Sequence, residues 1–180
     1  LEVIERVLDQ RQVDFDALFD RFYPPLVRYC SRMTGDPDQA DDLAQEAFFR
    51  LLDRRVSGTE AGLKVWLFRV ATNLARDGAR TRETRRRILS AFPPPEDTPG
   101  PDREVEREER AQRARQALLA LATRDREMLL LRQEGFSYKE IADAVGVSPR
   151  SVGTLLARAL RRFADSLGPD EPETEEGTKA

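Results

Sequence analysis

The sequence predicts an all-α protein of two small helical domains joined by a proline-rich linker. Three observations point there. Apolar residues recur at helical spacing, and no stretch shows the alternation of a strand. Five prolines and one glycine fall within the nine residues 93–101. Residues 135–162 carry the start, stop and corner signals of a helix-turn-helix. A length of 180 residues, with 39% hydrophobic, 35% charged and 7% aromatic residues, suits modest helical cores rather than one large one.

The first dozen residues are polar with scattered Val, Ile and Leu, open between a short helix and disordered chain. From Asp14, the residues Phe15, Leu18, Phe19, Phe22, Leu26, Tyr29, Cys30 and Met33 mark one long amphipathic helix. Pro24-Pro25 is expected to kink or break it. Gly35-Asp36-Pro37 ends it, and Asp36 or Asp38 caps the next helix. That helix runs to about Arg54, with Ala40, Leu43, Ala44, Ala47, Phe48, Leu51 and Leu52 expected inward. Its other face carries Asp41, Asp42, Gln45, Glu46 and Arg50. After the loop Ser57-Gly58-Thr59, a third helix starts near Glu60 with the apolar stripe Leu63, Trp66, Leu67, Val70, Ala71 and Leu74. Its C-terminal half turns basic: Arg69, Arg76, Arg80, Arg82, Arg85, Arg86 and Arg87. Arginines suit a helix C-terminus, but seven exceed what the dipole needs, and phosphate is their natural counter-charge.

The prolines of 93–101 make a semi-extended linker. Residues 102–113, almost all charged, lead into a helix buried through Ala114, Ala117, Leu118 and Leu121. A short helix, Asp125 to Gln133, adds Met128, Leu129 and Leu131 beneath the helix-turn-helix. There, Ser137 and Glu140 form a capping box, Ile141, Ala142 and Val145 face inward, Gly146 suits the left-handed stop, and Val147 plugs the corner. Ser148 is expected to cap the second helix, with Pro149 at its first position. Val152, Leu156, Ala159 and Phe163 share one side of that helix. Arg150, Ser151, Thr154, Arg158, Arg161 and Arg162 share the other. Residues 148–162 hold four arginines and no acid. A polar, basic second helix is suited to a DNA major groove. From Gly168 the composition is that of a disordered acidic tail.

The net charge is −3, but its distribution is uneven. Residues 69–87 carry seven basic and two acidic groups, and residues 111–167 ten and six. Residues 93–110 carry three and seven, and residues 168–180 one and five. Two basic blocks set apart by acidic ones suggest two nucleic-acid contacts on separate bodies. The single cysteine, Cys30, excludes an intrachain disulfide and reads as a small buried apolar residue. The absence of histidine excludes histidine-based triads and histidine metal sites. No long apolar run or signal-peptide pattern is present, which leads us to expect a cytoplasmic protein. Neighbouring Asp41 and Asp42 diverge on a helix, and no third ligand converges on them. Metal-assisted or acid–base catalysis is therefore disfavoured, and a solvated acidic face is the plain alternative. Trp66 and Phe68 are core candidates by spacing. Asn73 lies among basic residues, where its amide can donate to and accept from a base edge or simply face solvent.

With these motifs in hand, the chain resembles a bacterial RNA polymerase sigma factor of the extracytoplasmic-function group, over about residues 14–87 and 111–165. Ala40-Asp41-Asp42-Leu43-Ala44-Gln45-Glu46-Ala47-Phe48 looks like the segment that docks on the polymerase clamp helices. Trp66-Leu67-Phe68-Arg69-Val70-Ala71-Thr72-Asn73 looks like the segment that reads and melts the minus-ten element, and the helix-turn-helix like the minus-thirty-five reader. The resemblance divides the chain into sigma domain two (1–92), an acidic linker (93–110), sigma domain four (111–167) and a tail (168–180). It implies polymerase binding by Asp41, Asp42, Gln45, Glu46 and Phe48. It implies minus-ten contacts by Trp66, Arg69, Asn73, Arg76 and Arg80, and minus-thirty-five contacts by Ser148, Arg150, Ser151, Thr154 and Arg158. The implied partners are core RNA polymerase, duplex and melted promoter DNA, and an anti-sigma factor. No catalysis, cofactor, metal or small-molecule substrate is implied. The chain departs from the family pattern at Gly153 and Leu155, where many members are basic. The alternative function is a stand-alone helix-turn-helix regulator; a nuclease using the acidic cluster is a distant third. The two bodies are expected to be independent: a protease should cut between Arg87 and Arg110, and each fragment should remain helical.

Overall fold

The computed structural model describes residues 15–89 and 103–168. The expectations for the N-terminal dozen residues, the prolines of the linker and the tail beyond Gly168 lie outside the described residues. Among the described residues there are seven α-helices and no strand. We number them α1 (Phe15–Thr34), α2 (Pro37–Asp53), α3 (Glu60–Leu89), α4 (Arg103–Ala120), α5 (Thr123–Gln133), α6 (Tyr138–Val145) and α7 (Pro149–Leu167).

Helices α1 to α3 form a bundle around Leu26, Tyr29, Cys30, Ala44, Ala47, Leu67, Phe68 and Ala71. The two prolines do not break α1, which continues through Pro24 and Pro25. Phe22 and Leu26, one on each side of the pair, are buried against the bundle, so tertiary packing holds the helix across the missing backbone hydrogen bonds. At the α1–α2 corner Gly35 adopts φ +75°, and a Cβ there would stand 2.8 Å from Leu119 Cδ1. Of the two candidate caps, Asp36 is the one used: its Oδ1 accepts from the amides of Asp38 and Gln39, each at 3.1 Å. Leu52, expected inward, is 53% exposed. Inside the bundle, Thr72 Oγ1 donates to the Phe68 carbonyl at 2.7 Å, which leaves its lone pairs to accept from Tyr29 Oη, also at 2.7 Å. Burial pushes the Tyr29 phenol up and pushes the Cys30 thiol up to about 12, so the thiol is inert.

Helices α4 to α7 pack around Met128, Leu131, Ile141, Ala142, Val152 and Leu156. The capping box is present: Glu140 N donates to Ser137 Oγ at 3.3 Å and Ser137 N to Glu140 Oε2 at 2.7 Å. Gly146 stops α6 at φ +71°. Ser148 does not cap α7 with its side chain; Pro149 takes one of the orphan positions and the Ser148 carbonyl accepts from Ser151 N at 2.9 Å. The short helix α5 starts two residues earlier than expected, at Thr123.

The two segments share one apolar core. The Phe68 and Phe136 rings meet at 5.2 Å between centroids. Lys64 Nζ donates to the Glu134 carbonyl at 2.5 Å and lies 5.1 Å from the Phe136 ring centre. Arg126 donates to the carbonyls of Leu118, Leu119 and Leu121 at the end of α4, and to that of Met33 in the last turn of α1. One guanidinium thus satisfies orphan carbonyls of two helices from different segments. Arg76 of α3 forms a two-pronged ion pair with Glu127 of α5, whose side chain is 0% exposed. The hydrogen bonds that Arg76 donates to Glu127 hold its guanidinium above its ordinary pKa.

Candidate polymerase and nucleic-acid interfaces

The first surface lies on α2. Tyr23 Oη donates to Asp41 Oδ1 at 2.7 Å, and Gln45 Nε2 donates to Asp41 Oδ2 at 2.6 Å. Asp41 is therefore engaged on both oxygens and acts as a bracket for Gln45. The same contact and burial raise the Tyr23 pKa, with burial the larger cause. Glu46 pairs with Arg50 at 2.7 Å. Asp42 and Gln45 are exposed. Phe48 points the other way: it is 3% exposed, with its ring packed against Phe15, Phe19 and Tyr23. Its neighbour Phe49 is 62% exposed. Asp42, Gln45, Phe49 and Leu52 follow i, i+3, i+7, i+10 spacing, so they form one stripe that is polar at its start and apolar at its end. That spacing was present in the sequence and points to Phe49 rather than Phe48.

The second surface lies on α3. Trp66, Arg69, Asn73, Arg76 and Arg80 also follow i, i+3, i+7, i+10, i+14 spacing and share a face. Trp66 is half-buried against the core, Arg69 and Asn73 are exposed, and Arg76 turns toward Glu127. The side chain of Arg80 and those of the arginines after it lie outside the described residues. Sequence reasoning missed Lys64 and Glu127. Glu127 carries no local sign of its role, because its partner is 51 residues away.

The third surface lies on α7. Ser148, Arg150, Ser151, Thr154, Arg158 and Arg161 are all exposed, as the basic face requires. Arg162, expected on that face, instead pairs with buried Asp125 at 2.5 Å and ties α7 to α5. A Cβ at Gly153 would meet Tyr138 Cε2, on the first residue of α6, at 3.5 Å. Among the described residues no group of His, Cys, Asp or Glu is placed to hold a metal ion, and no helix is long and apolar enough to cross a membrane.

Comparison with known proteins matches both segments. Residues 18–86 match sigma-70 region 2, and residues 111–163 match sigma-70 region 4. The chain is 30% identical to the RNA polymerase sigma factor CarQ of Myxococcus xanthus, over 94% of this chain and 98% of CarQ. It is 32% identical to NccH of Alcaligenes xylosoxydans xylosoxydans, another RNA polymerase sigma factor, over 87% and 88% of the two chains. It is also 32% identical to the extracytoplasmic-function sigma factor SigG of Mycobacterium tuberculosis, over 93% of this chain but only 55% of SigG. The chain thus spans about half the length of that relative. In structure it is similar to the sigma factor RpoE of Bartonella quintana, solved in complex with the anti-sigma factor NepR. The TM-score is 0.69 at 22% identity, covering 88% of this chain and 99% of that one.

Proposed function

This chain belongs to the extracytoplasmic-function group of sigma factors, and from that premise we propose that it directs core RNA polymerase to a minus-thirty-five and a minus-ten promoter element and assists strand opening. The observation that carries the reading is the exposed Arg150, Thr154 and Arg158 face of α7, set by a capped α6 and a left-handed Gly146. In this reading residues 1–92 form the polymerase-docking and minus-ten domain, 93–110 the linker, 111–167 the minus-thirty-five domain and 168–180 a solubilising tail. Asp42, Gln45 and Glu46 face the polymerase, Asp41 and Tyr23 hold Gln45 in place, and Phe49 and Leu52 extend the face with apolar surface. Arg69 and Asn73 hold the separated strand by backbone and base-edge contacts. Ser148, Arg150, Ser151, Thr154 and Arg158 meet duplex DNA, with arginine to guanine the most discriminating pairing available to them.

The protein has no catalysis of its own, works in the cytoplasm, and has an anti-sigma factor as its regulatory partner. The test is run-off transcription with purified core polymerase on a genomic fragment library, with and without this protein. Discrete new start sites are expected only when it is present. Binding to DNA fragments without polymerase, and no new start sites with it, would support a stand-alone helix-turn-helix regulator instead.

A further inference from the structure

Several arginines of this protein have a carboxylate of their own: Arg50 pairs with Glu46, Arg76 with Glu127 and Arg162 with Asp125. Arg150, Arg158 and Arg161 do not. All three are exposed on one face of α7, and none pairs with a carboxylate among the described residues. Asp165, the one acid of α7, lies a turn beyond Arg161 and forms no ion pair with it. The face therefore carries positive charge with nothing on its own helix to balance it. Acids arrive directly after that helix. Helix α7 ends at Leu167, Gly168 follows at φ +74°, and residues 169–176 then contain five acids and no base: Asp170, Glu171, Glu173, Glu175 and Glu176. Their spacing matches the arginines. A helix rises about 1.5 Å per residue, so Arg161, Arg158 and Arg150 lie about 9, 14 and 26 Å back from Leu167. An extended chain advances about 3.3 Å per residue, so a tail laid back along α7 brings Asp170, Glu171 and Glu175 to about 10, 13 and 26 Å. Each acid then stands level with one arginine.

We propose that the acidic segment 170–176 folds back over the Arg150, Arg158 and Arg161 face of α7 and competes there with duplex DNA. Its role thus goes beyond solubility, and the proposal rests on the reading of α7 as the DNA-recognition helix. The carboxylates occupy the places that phosphates take when DNA binds, so DNA must displace them before it reaches the arginines. Tethering favours this occupant over any free anion, because a short linker holds the acids near the face at an effective concentration on the order of millimolar. Each exposed ion pair is weak, so the tail yields to a strong site and excludes weak ones.

The tests use the full chain. Cys30 is buried and its thiol is pushed up to about 12, so a spin label attached to Thr174→Cys reports on the tail alone. At low salt the label should broaden the backbone amide signals of α7 between Arg150 and Arg161, and about 0.5 M salt should restore them by screening the pairs. Amide signals of α7 that the label leaves unchanged overturn the proposal. Affinity for random-sequence duplex DNA is measured next. A variant carrying Asp170→Asn, Glu171→Gln, Glu173→Gln, Glu175→Gln and Glu176→Gln should bind about tenfold tighter than the parent at low salt, because three modest ion pairs no longer have to be broken. The gain should shrink as salt is raised. A gain without broadening means that the acids only repel DNA from a distance, and broadening without a gain means that they do not compete; either result overturns the proposal. Arg150→Ala with Arg158→Ala is then added to the neutralised variant. If affinity falls there, while neutralising the tail had gained nothing, the tail proposal fails and the helix reading stands. If affinity does not fall, the reading of α7 as the DNA-recognition helix itself fails.

Discussion

Two residues on neighbouring helices illustrate how differently polar side chains are used here. Asp42 is exposed on α2 and Asn73 is exposed on α3, so neither substitution disturbs a core. Asp42→Arg should abolish capture of core polymerase in a pull-down while the helical circular dichroism stays that of the parent. Asn73→Ala should keep polymerase binding and reduce permanganate-reactive strand opening on duplex promoter. A pre-melted promoter should partly restore it, since the unpairing energy has already been supplied. Normal capture by Asp42→Arg, or normal opening by Asn73→Ala, would refute the corresponding role. The two neighbours Phe48 and Phe49 make the same distinction for apolar side chains. The pattern of α2 marks Phe48 as inward, and Phe15, Phe19 and Tyr23 pack against its ring, while Phe49 is 62% exposed.

At the level of the element, α6 is only eight residues long and depends on its ends. Ser137→Ala should cost about 1 kcal/mol in denaturant unfolding, because it removes one half of the capping box. The other half is pH-dependent. Glu140 has its pKa held below the usual carboxylate range by its hydrogen bonds with Ser137. A depressed carboxylate contributes stability that is present above the unfolded pKa and lost as pH falls through the folded one. Glu140→Gln should therefore melt below the parent at neutral pH, and the gap should narrow as the pH is lowered through the carboxylate range. A gap independent of pH would mean that the charge has no part in the cap. These caps were legible in the sequence because each is made within three residues. The continuity of α1 through Pro24-Pro25 was not, because it depends on burial against α2 and α3.

On the scale of the whole molecule, the ion pair of Arg76 and Glu127 joins the two segments through a carboxylate with no exposure to water. Removing one partner of a buried pair costs about 3–5 kcal/mol, because the other charge is left uncompensated. Arg76→Ala should therefore either lower overall stability by that order or release the second segment, allowing Glu127 to hydrate. Cleavage between Arg87 and Arg110 distinguishes the two outcomes. Parent fragments should co-elute on gel filtration, held by this pair, by Arg126 on the Met33 carbonyl and by the Phe68–Phe136 contact. Arg76→Ala fragments should separate at least in part. Parent fragments that elute apart would show that the shared core does not hold the segments together.

Most of the helices, the Ser137–Glu140 capping box, the Gly146 stop, the basic face of α7 and the acidic face of α2 were determined by the sequence itself. Each depends on residues within about four positions of one another, and helical periodicity converts that spacing directly into faces. Tertiary structure alone decided that Asp41 is a bracket rather than a free carboxylate, that Arg162 leaves the basic face for Asp125, and that Arg76 meets Glu127. These outcomes depend on partners 18 to 51 residues away. A long polar side chain on a helix face can reach several neighbours, and which one it takes is settled by the residue that burial would otherwise leave unpaired.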